Sequence, residues 1–280
     1  MTWWRSACTQ GVVALLSLLL TSCGNDGPQT RSSSYGYAET TVVCTPTRNG
    51  VPGLFRTARG LEILVRAPAN FRPEVKHPLL VVFAGAGMPP AASERLTGLT
   101  PLATAAGFLV AYPQHLRPSR GALKRLAEGV DEVAARYCVD AQRIVLTGHS
   151  DGGTTATALA VTPAMSFKVA ALAPSAAGFT EADLLTFACP DPTPVMVFHG
   201  ARDSLFPGWG RQAAGWWARC NRCDVSTTGA ARETCVNYRG CAAPTYYCEG
   251  PQGHTRWPEA ANQNILRFLS ELNIPHAAKP

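Results

Sequence analysis

Five residues, Gly148-His149-Ser150-Asp151-Gly152, constrain this chain more than any others. They follow a β-branched and aliphatic run, Arg143-Ile144-Val145-Leu146-Thr147. They precede a small-residue stretch, Gly153 to Ala160, that suits a helix. Strand, G-x-S-x-G, helix is the pattern of a nucleophile elbow. The turn is sharp, and glycines are needed where no Cβ fits between strand and helix. Its strain lifts the serine hydroxyl towards a base and a substrate. Such a turn demands a sheet on one side and a helix on the other. In a chain with 25 glycines the pattern is short enough to arise by chance, so the flanking segments must support it.

They do. From about residue 60 the chain alternates strand and helix patterns. Strands are expected at Leu61–Arg66, Leu79–Phe83, Phe108–Ala111, Ile144–Thr147, Val169–Leu172, Val195–Phe198 and Thr245–Cys248. Several are continuous apolar runs, as strands buried on both faces should be. Leu123 to Tyr137 has apolar residues at helical spacing, and so does Glu259 to Leu272. The expectation is an α/β fold, a mostly parallel sheet with helices on both faces. One catalytic domain over 41–275 is the economical reading of its 280 residues, 46% hydrophobic and 16% charged.

The first residues read as a targeting segment. Arg5 supplies the positive start, and Gly11 to Leu20 an apolar run too short to span a bilayer comfortably. Leu20-Thr21-Ser22-Cys23 then resembles the lipobox of bacterial lipoproteins. On this reading 1–22 is a signal peptide, Cys23 is lipidated, and 23–40 is a flexible tether. An ordinary secretory signal is the plainer alternative. The protein is then expected on the bacterial cell envelope or surface, held to the membrane by its lipid. Net charge is +6, from 25 basic and 19 acidic residues, and the basic residues are scattered. That pattern does not suit nucleic-acid binding.

Of ten cysteines, Cys8 lies in the signal and Cys23 takes the lipid. Eight remain, five of them within 220–248. An even number in an exported chain implies up to four disulfides, with on the order of a hundred pairings open. Cys220-x-x-Cys223 has zinc spacing, but no second such pair follows, so no metal is expected.

A serine on such an elbow is followed by its acid and then its base. Asp203 lies three residues past Gly200, where the buried run Val195–Phe198 ends. The bland role for an aspartate there is to cap a turn. His254, in Gly253-His254-Thr255, falls between the last strand and the last helix. Of the other histidines, His77, His115 and His149 precede Ser150, His199 precedes Asp203, and His276 is in the tail. Two oxyanion donors are expected: the N–H of Asp151 and, from the glycine loop Ala84–Met88, the N–H of Ala86.

These residues resemble the secreted feruloyl/acetylxylan esterase and polyhydroxybutyrate depolymerase group of α/β-hydrolases. The likeness is carried by Tyr137-Cys138-Val139-Asp140 into Gly148–Gly153, by His199-Gly200-Ala201-Arg202-Asp203, by Tyr238-Arg239-Gly240-Cys241 and by Gly253–Pro258. It spans roughly 60–270. It implies the α/β-hydrolase fold, a Ser150–Asp203–His254 triad and a Cys223–Cys241 disulfide. Two departures stand out: Phe83-Ala84-Gly85 where the family has a histidine before the glycine, and Arg256 inserted before Trp257.

The expected function is hydrolysis of a carboxylic ester through an acyl-enzyme, without cofactor, by a monomer. The ester is that of an acylated polysaccharide or a small molecule. The first alternative is a polyester depolymerase, and the second a non-catalytic glycan-binding lipoprotein on the same scaffold. Trp209 and Trp257 are candidate substrate-stacking residues, whereas Trp216 and Trp217 suit packing of a helix on the core. Replacing Cys23 by Ala is expected to move the protein from the membrane fraction to the soluble one on cell fractionation.

Overall fold

An apolar run flanked by apolar helices is stable only between two layers, and the centre of this chain is built that way. The computed structural model describes residues 51–162, 168–228 and 235–274. The signal segment 1–22, Cys23, the tether 23–40, the boundary at 41, Cys44 and His276 lie outside the described residues.

In chain order the strands are β1 (Leu54–Arg56), β2 (Glu62–Arg66), β3 (His77–Phe83), β4 (Leu109–Pro113), β5 (Val139–His149), β6 (Val169–Ser175), β7 (Val195–Gly200), β8 (Asp224–Thr228), β9 (Cys235–Arg239) and β10 (Thr245–Gly250). The helices are α1 (Pro90–Thr97), α2 (Thr100–Ala105), α3 (Arg120–Arg136), α4 (Asp151–Val161), α5 (Glu181–Leu184), α6 (Trp209–Cys220) and α7 (Ala261–Glu271). The strands lie in the order β1-β2-β4-β3-β5-β6-β7-β10-β9-β8. From β4 to β10 all neighbours are parallel, and both flanks are antiparallel. This is the α/β-hydrolase fold. Among the described residues, no helix is long and apolar enough to cross a membrane.

Alternate strand residues feed two cores. Leu79, Val81, Ile144, Leu146 and Val197 join one with Leu126, Val130 and Trp217 from α3 and α6. Leu80, Val82, Val145 and Phe198 join the other with Ala103, Ile265 and Phe268 from α2 and α7. Strands wholly buried on both faces therefore carry no polar alternation. Trp216 and Trp217 pack in the first core.

The elements run past the apolar pattern where polar residues continue them. β5 starts at Val139, with Asp140 and Arg143 paired at 2.8 Å near its exposed start. β1, β8 and β9 are short antiparallel additions at the edges, and α1 and α2 are short and rich in small or polar residues. None of these five had a periodic signal. α3 starts three residues before its apolar face, because the Ser119 hydroxyl accepts the N–H of Ala122 at 3.1 Å.

Three disulfides join described residues: Cys189–Cys220, Cys223–Cys241 and Cys235–Cys248. The pair implied by the family resemblance, Cys223 and Cys241, is one of them. Cys235 and Cys248 are opposite each other in the β9–β10 ladder. In the chain-entropy view, closing loops of this length stabilises by about 3 kcal/mol each.

Removing the α3 cap with Ser119→Ala should cost about 1 kcal/mol in denaturant unfolding. The catalytic constants should not change.

Candidate active site

The elbow is built from backbone strain and close approach. Ser150 has φ 57° and ψ −120°, a conformation that non-glycine residues rarely adopt and that costs about 1–3 kcal/mol. The Ser150 N–H donates to Ser175 O at 3.0 Å, which anchors the turn to β6. A Cβ on Gly152 would lie 2.0 Å from the Phe83 carbonyl oxygen, so only glycine lets α4 leave β5 beside β3. The Ser150 hydroxyl thereby stands at the carboxyl end of the central strands, where ligands bind in open α/β sheets.

Base and acid arrive from two neighbouring strand ends. The Ser150 Oγ is 2.8 Å from His254 Nε2, and His254 Nδ1 is 2.8 Å from Asp203 Oδ2. Only an Nδ1–H can donate to a carboxylate, so Nε2 is left to accept the serine proton. The other Asp203 oxygen accepts the N–H groups of Leu205 at 3.0 Å and Phe206 at 2.9 Å. Asp203 is 4% exposed. Burial pushes its carboxyl up, but the Phe206 N–H, the bond to His254 and the nearby imidazoles outweigh that. The result is a carboxyl held below its ordinary range.

The acid and base loops are tied together. The Ala201 N–H donates to Gly250 O at 2.8 Å, and the Gln252 amide to His199 O at 3.2 Å. The Arg202 side chain donates to Pro251 O. A Cβ on Gly200 would sit 2.2 Å from Gln252 O, so this close approach also requires glycine.

The expected oxyanion donors flank Ser150 differently. Asp151 follows it directly and opens α4, where N–H groups point outward and the helix dipole favours negative charge. Ala86 is exposed in the turn after β3, with Met88 N–H donating to Gly85 O at 3.1 Å. That loop lies against the elbow, because a Cβ on Gly85 would be 3.4 Å from His149 O. One residue touches both sides. The His115 N–H donates to Met88 O at 3.1 Å, and its Nε2 lies 3.0 Å from Asp151 Oδ2.

Three histidines set aside by chain order therefore surround the site. His115 lies at Asp151. The buried His149 lies between Ser175 Oγ at 3.1 Å and His254 O at 2.6 Å. The buried His199 is 2.9 Å from Phe206 O and 3.9 Å from Asp203 Oδ2. Burial pushes both His149 and His199 below the usual imidazole range. Adjacency to Ser150 and to Gly200 was the one signal for the latter two. No cluster of three or more His, Cys, Asp or Glu among the described residues is arranged to hold a metal ion.

The aromatic side chains divide. Phe206 meets the His254 ring edge-on at 4.8 Å and stacks on Trp209 at 4.6 Å. Trp209 thus belongs to an aromatic shelf beside the base, and Phe206, which no sequence pattern marked, is its inner member. Trp257 donates to Asn262 Oδ1 at 2.8 Å and packs against the second core. It lines a cavity of about 760 Å³ behind the base loop, shared with Arg256 and Gln252, that no triad residue lines.

No family model matches the chain, and no curated protein matches it. Solved structures do. An esterase of the Planctomycetes species Thermogutta terrifontis, with butyrate bound, superposes with a TM-score of 0.58 at 16% identity, over 79% of this chain and 92% of that one. The same enzyme phosphonylated by cyclosarin gives 0.58 at 17%, over 85% and 100%. An acetyl xylan esterase from Aspergillus awamori gives 0.55 at 16%, over 74% and 93%. At such identities the likeness is one of fold, and the fold is that of the α/β-hydrolases.

The lowered Asp203 carboxyl sets a pH dependence of stability. A carboxyl that binds its proton less readily folded than unfolded stabilises the fold above its unfolded value, about 3.9. That contribution is lost as pH falls through the lower folded value. Wild type should therefore exceed Asp203→Asn in stability at pH 7. The gap should close below about pH 4 in denaturant titrations run at stepped pH.

Proposed function

We propose that the chain is a serine carboxylic-ester hydrolase that works through an acyl-enzyme. The observation that carries this is the unbroken line from Asp203 through His254 to the Ser150 hydroxyl, 2.8 Å at each link. His254 takes the Ser150 proton as Oγ attacks the ester carbonyl. The tetrahedral oxyanion is met by the N–H groups of Asp151 and Ala86. Collapse returns the proton to the departing alcohol and leaves the acyl group on Ser150. Water, deprotonated by the same imidazole, then releases the acid. Asp203 holds the Nδ1–H tautomer and offsets the charge of the imidazolium throughout.

The surroundings and the neighbours support a substrate class. The Phe206–Trp209 shelf offers a flat apolar surface beside the base. Solved structures of similar fold are named as esterases, one of them an acetyl xylan esterase. Together these favour esters on plant polysaccharide or small acyl esters. A polyester of hydroxybutyrate is the second reading. It uses the same triad, and the solvent-facing Leu205 (59% exposed) beside the acid gives it an apolar contact. We place the protein outside the cytoplasm. The three disulfides between described residues favour an extracellular or periplasmic setting. Anchoring through a lipid on Cys23, as a monomer facing the periplasm or the exterior, completes the reading.

The test is a hydrolysis panel of p-nitrophenyl acetate and butyrate, methyl ferulate, acetylated xylan and hydroxybutyrate oligomers, with Ser150→Ala beside each. The wild type should turn over at least one ester, and Ser150→Ala should lower kcat by about 10⁴-fold or more. Activity retained in Ser150→Ala refutes the nucleophile. A wild type inert on the whole panel leaves the non-catalytic glycan-binding scaffold in its place.

A further inference from the structure

The residue before Ser150 has two hydrogen bonds that ester hydrolysis by the triad does not use. His149 Nε2 lies 2.6 Å from the backbone carbonyl of His254, and its Nδ1 lies 3.1 Å from the Ser175 hydroxyl. A carbonyl oxygen only accepts, so Nε2 carries the proton. In a neutral ring Nδ1 must then accept, and the Ser175 hydroxyl is its donor. Burial, which pushes this imidazole below its usual range, keeps the ring neutral. His149 is 5% exposed, and its ring is wedged between the His254 ring at 5.6 Å and Trp257 at 6.1 Å.

The strand, the elbow and the base loop are therefore joined through one side chain. Ser175 also accepts the Ser150 N–H through its carbonyl, so a single residue of β6 holds both Ser150 and His149. His149 passes that reference point on to the backbone of His254. The nucleophile–base bond cannot do this through a whole turnover. Once Ser150 Oγ is acylated it has no proton to donate, and the 2.8 Å bond to His254 is gone. In that state the side-chain hydrogen bonds left on His254 itself, among the described residues, are Asp203 at the ring and His149 at the carbonyl.

We propose that His149 is a positioning residue that holds His254 by its main chain while Ser150 is acylated, so that the imidazole stays aimed at the attacking water. The inference rests on the triad reading. Its signature is a selective loss in the second half of the reaction. Deacylation needs the base held without help from the serine, whereas acylation has that bond to align the pair. Slowing deacylation lowers kcat and KM together and lowers kcat/KM less.

The side-chain reach supplies the variants. Glutamine carries an N–H at about the distance of Nε2 and can still donate to His254 O. Asparagine reaches only as far as Nδ1, and leucine donates nothing. His149→Leu and His149→Asn should lower kcat on p-nitrophenyl acetate by about 10- to 100-fold, with KM falling too. His149→Gln should keep kcat within about threefold of wild type. Equal kcat in all three variants, whether all high or all low, overturns the role. So does a loss confined to KM. ¹⁵N-edited imidazole spectra of the wild-type protein give a check that needs no variant to fold. The His149 ring should carry its proton on Nε2, and an Nδ1–H ring overturns the inference. If Ser150→Ala is as active as wild type, the triad reading falls and takes this one with it. If Ser150→Ala is dead while the Leu and Asn variants match wild type, only the positioning role falls.

Discussion

The conformation of one residue underlies the rest of this molecule. Ser150 is held at positive φ between the end of β5 and the start of α4. A strained residue persists only where its surroundings over-determine it. Here the surroundings are specific: the Ser150 N–H on Ser175 O, α4 seated against the Phe83 carbonyl across a missing Cβ, and β5 paired on both sides. The buried stretches of β3, β5 and β6 that lead to the elbow are thus more than a core. They form the rigid frame against which about 1–3 kcal/mol of strain is maintained.

The acid and base meet that serine because their own loops are fixed to each other. β7 and β10 are parallel neighbours, and the loops that leave them share backbone and side-chain hydrogen bonds at Ala201, Arg202 and Gln252. Outside them, Cys235–Cys248 clamps β9 to β10, and Cys223–Cys241 closes the adjoining segment. The electrostatics point the same way. Asp203 is buried yet stays an anion, because two backbone N–H groups and an imidazole meet its oxygens.

Much of this was legible in the residues, and the reasons are physical. The central stretches of the strands from β3 to β7 are buried on both faces, so they had to be apolar runs. The elbow had to show its glycines because no other residue fits there. Ser150, Asp203 and His254 each follow a strand, where chain order alone brings them to one edge. What stayed hidden depends on packing. β1, β8 and β9 exist because an edge strand offers them hydrogen bonds, not because their side chains alternate. Phe206 has no pattern around it, since its place beside His254 is set by a turn that Asp203 itself caps. His149 and His199 looked surplus in a count by chain order. Only the fold turns their rings towards a carbonyl and an acid.

The sequence distances within the site have a kinetic meaning. Ser150 and His254 are 104 residues apart, and Asp203 and His254 are 51 apart. Contacts of such span are paid for in loop-closure entropy before they return anything, so they form late. A chain ordered from β3 through β6 would already display its serine on a finished elbow, yet have no base to draw off the proton. Its chemistry would be silent until β10 docks on β7. On the reading proposed above, esterase activity returning during refolding would time that docking rather than the collapse of the core, and Ser150 would have no base while the molecule is incomplete.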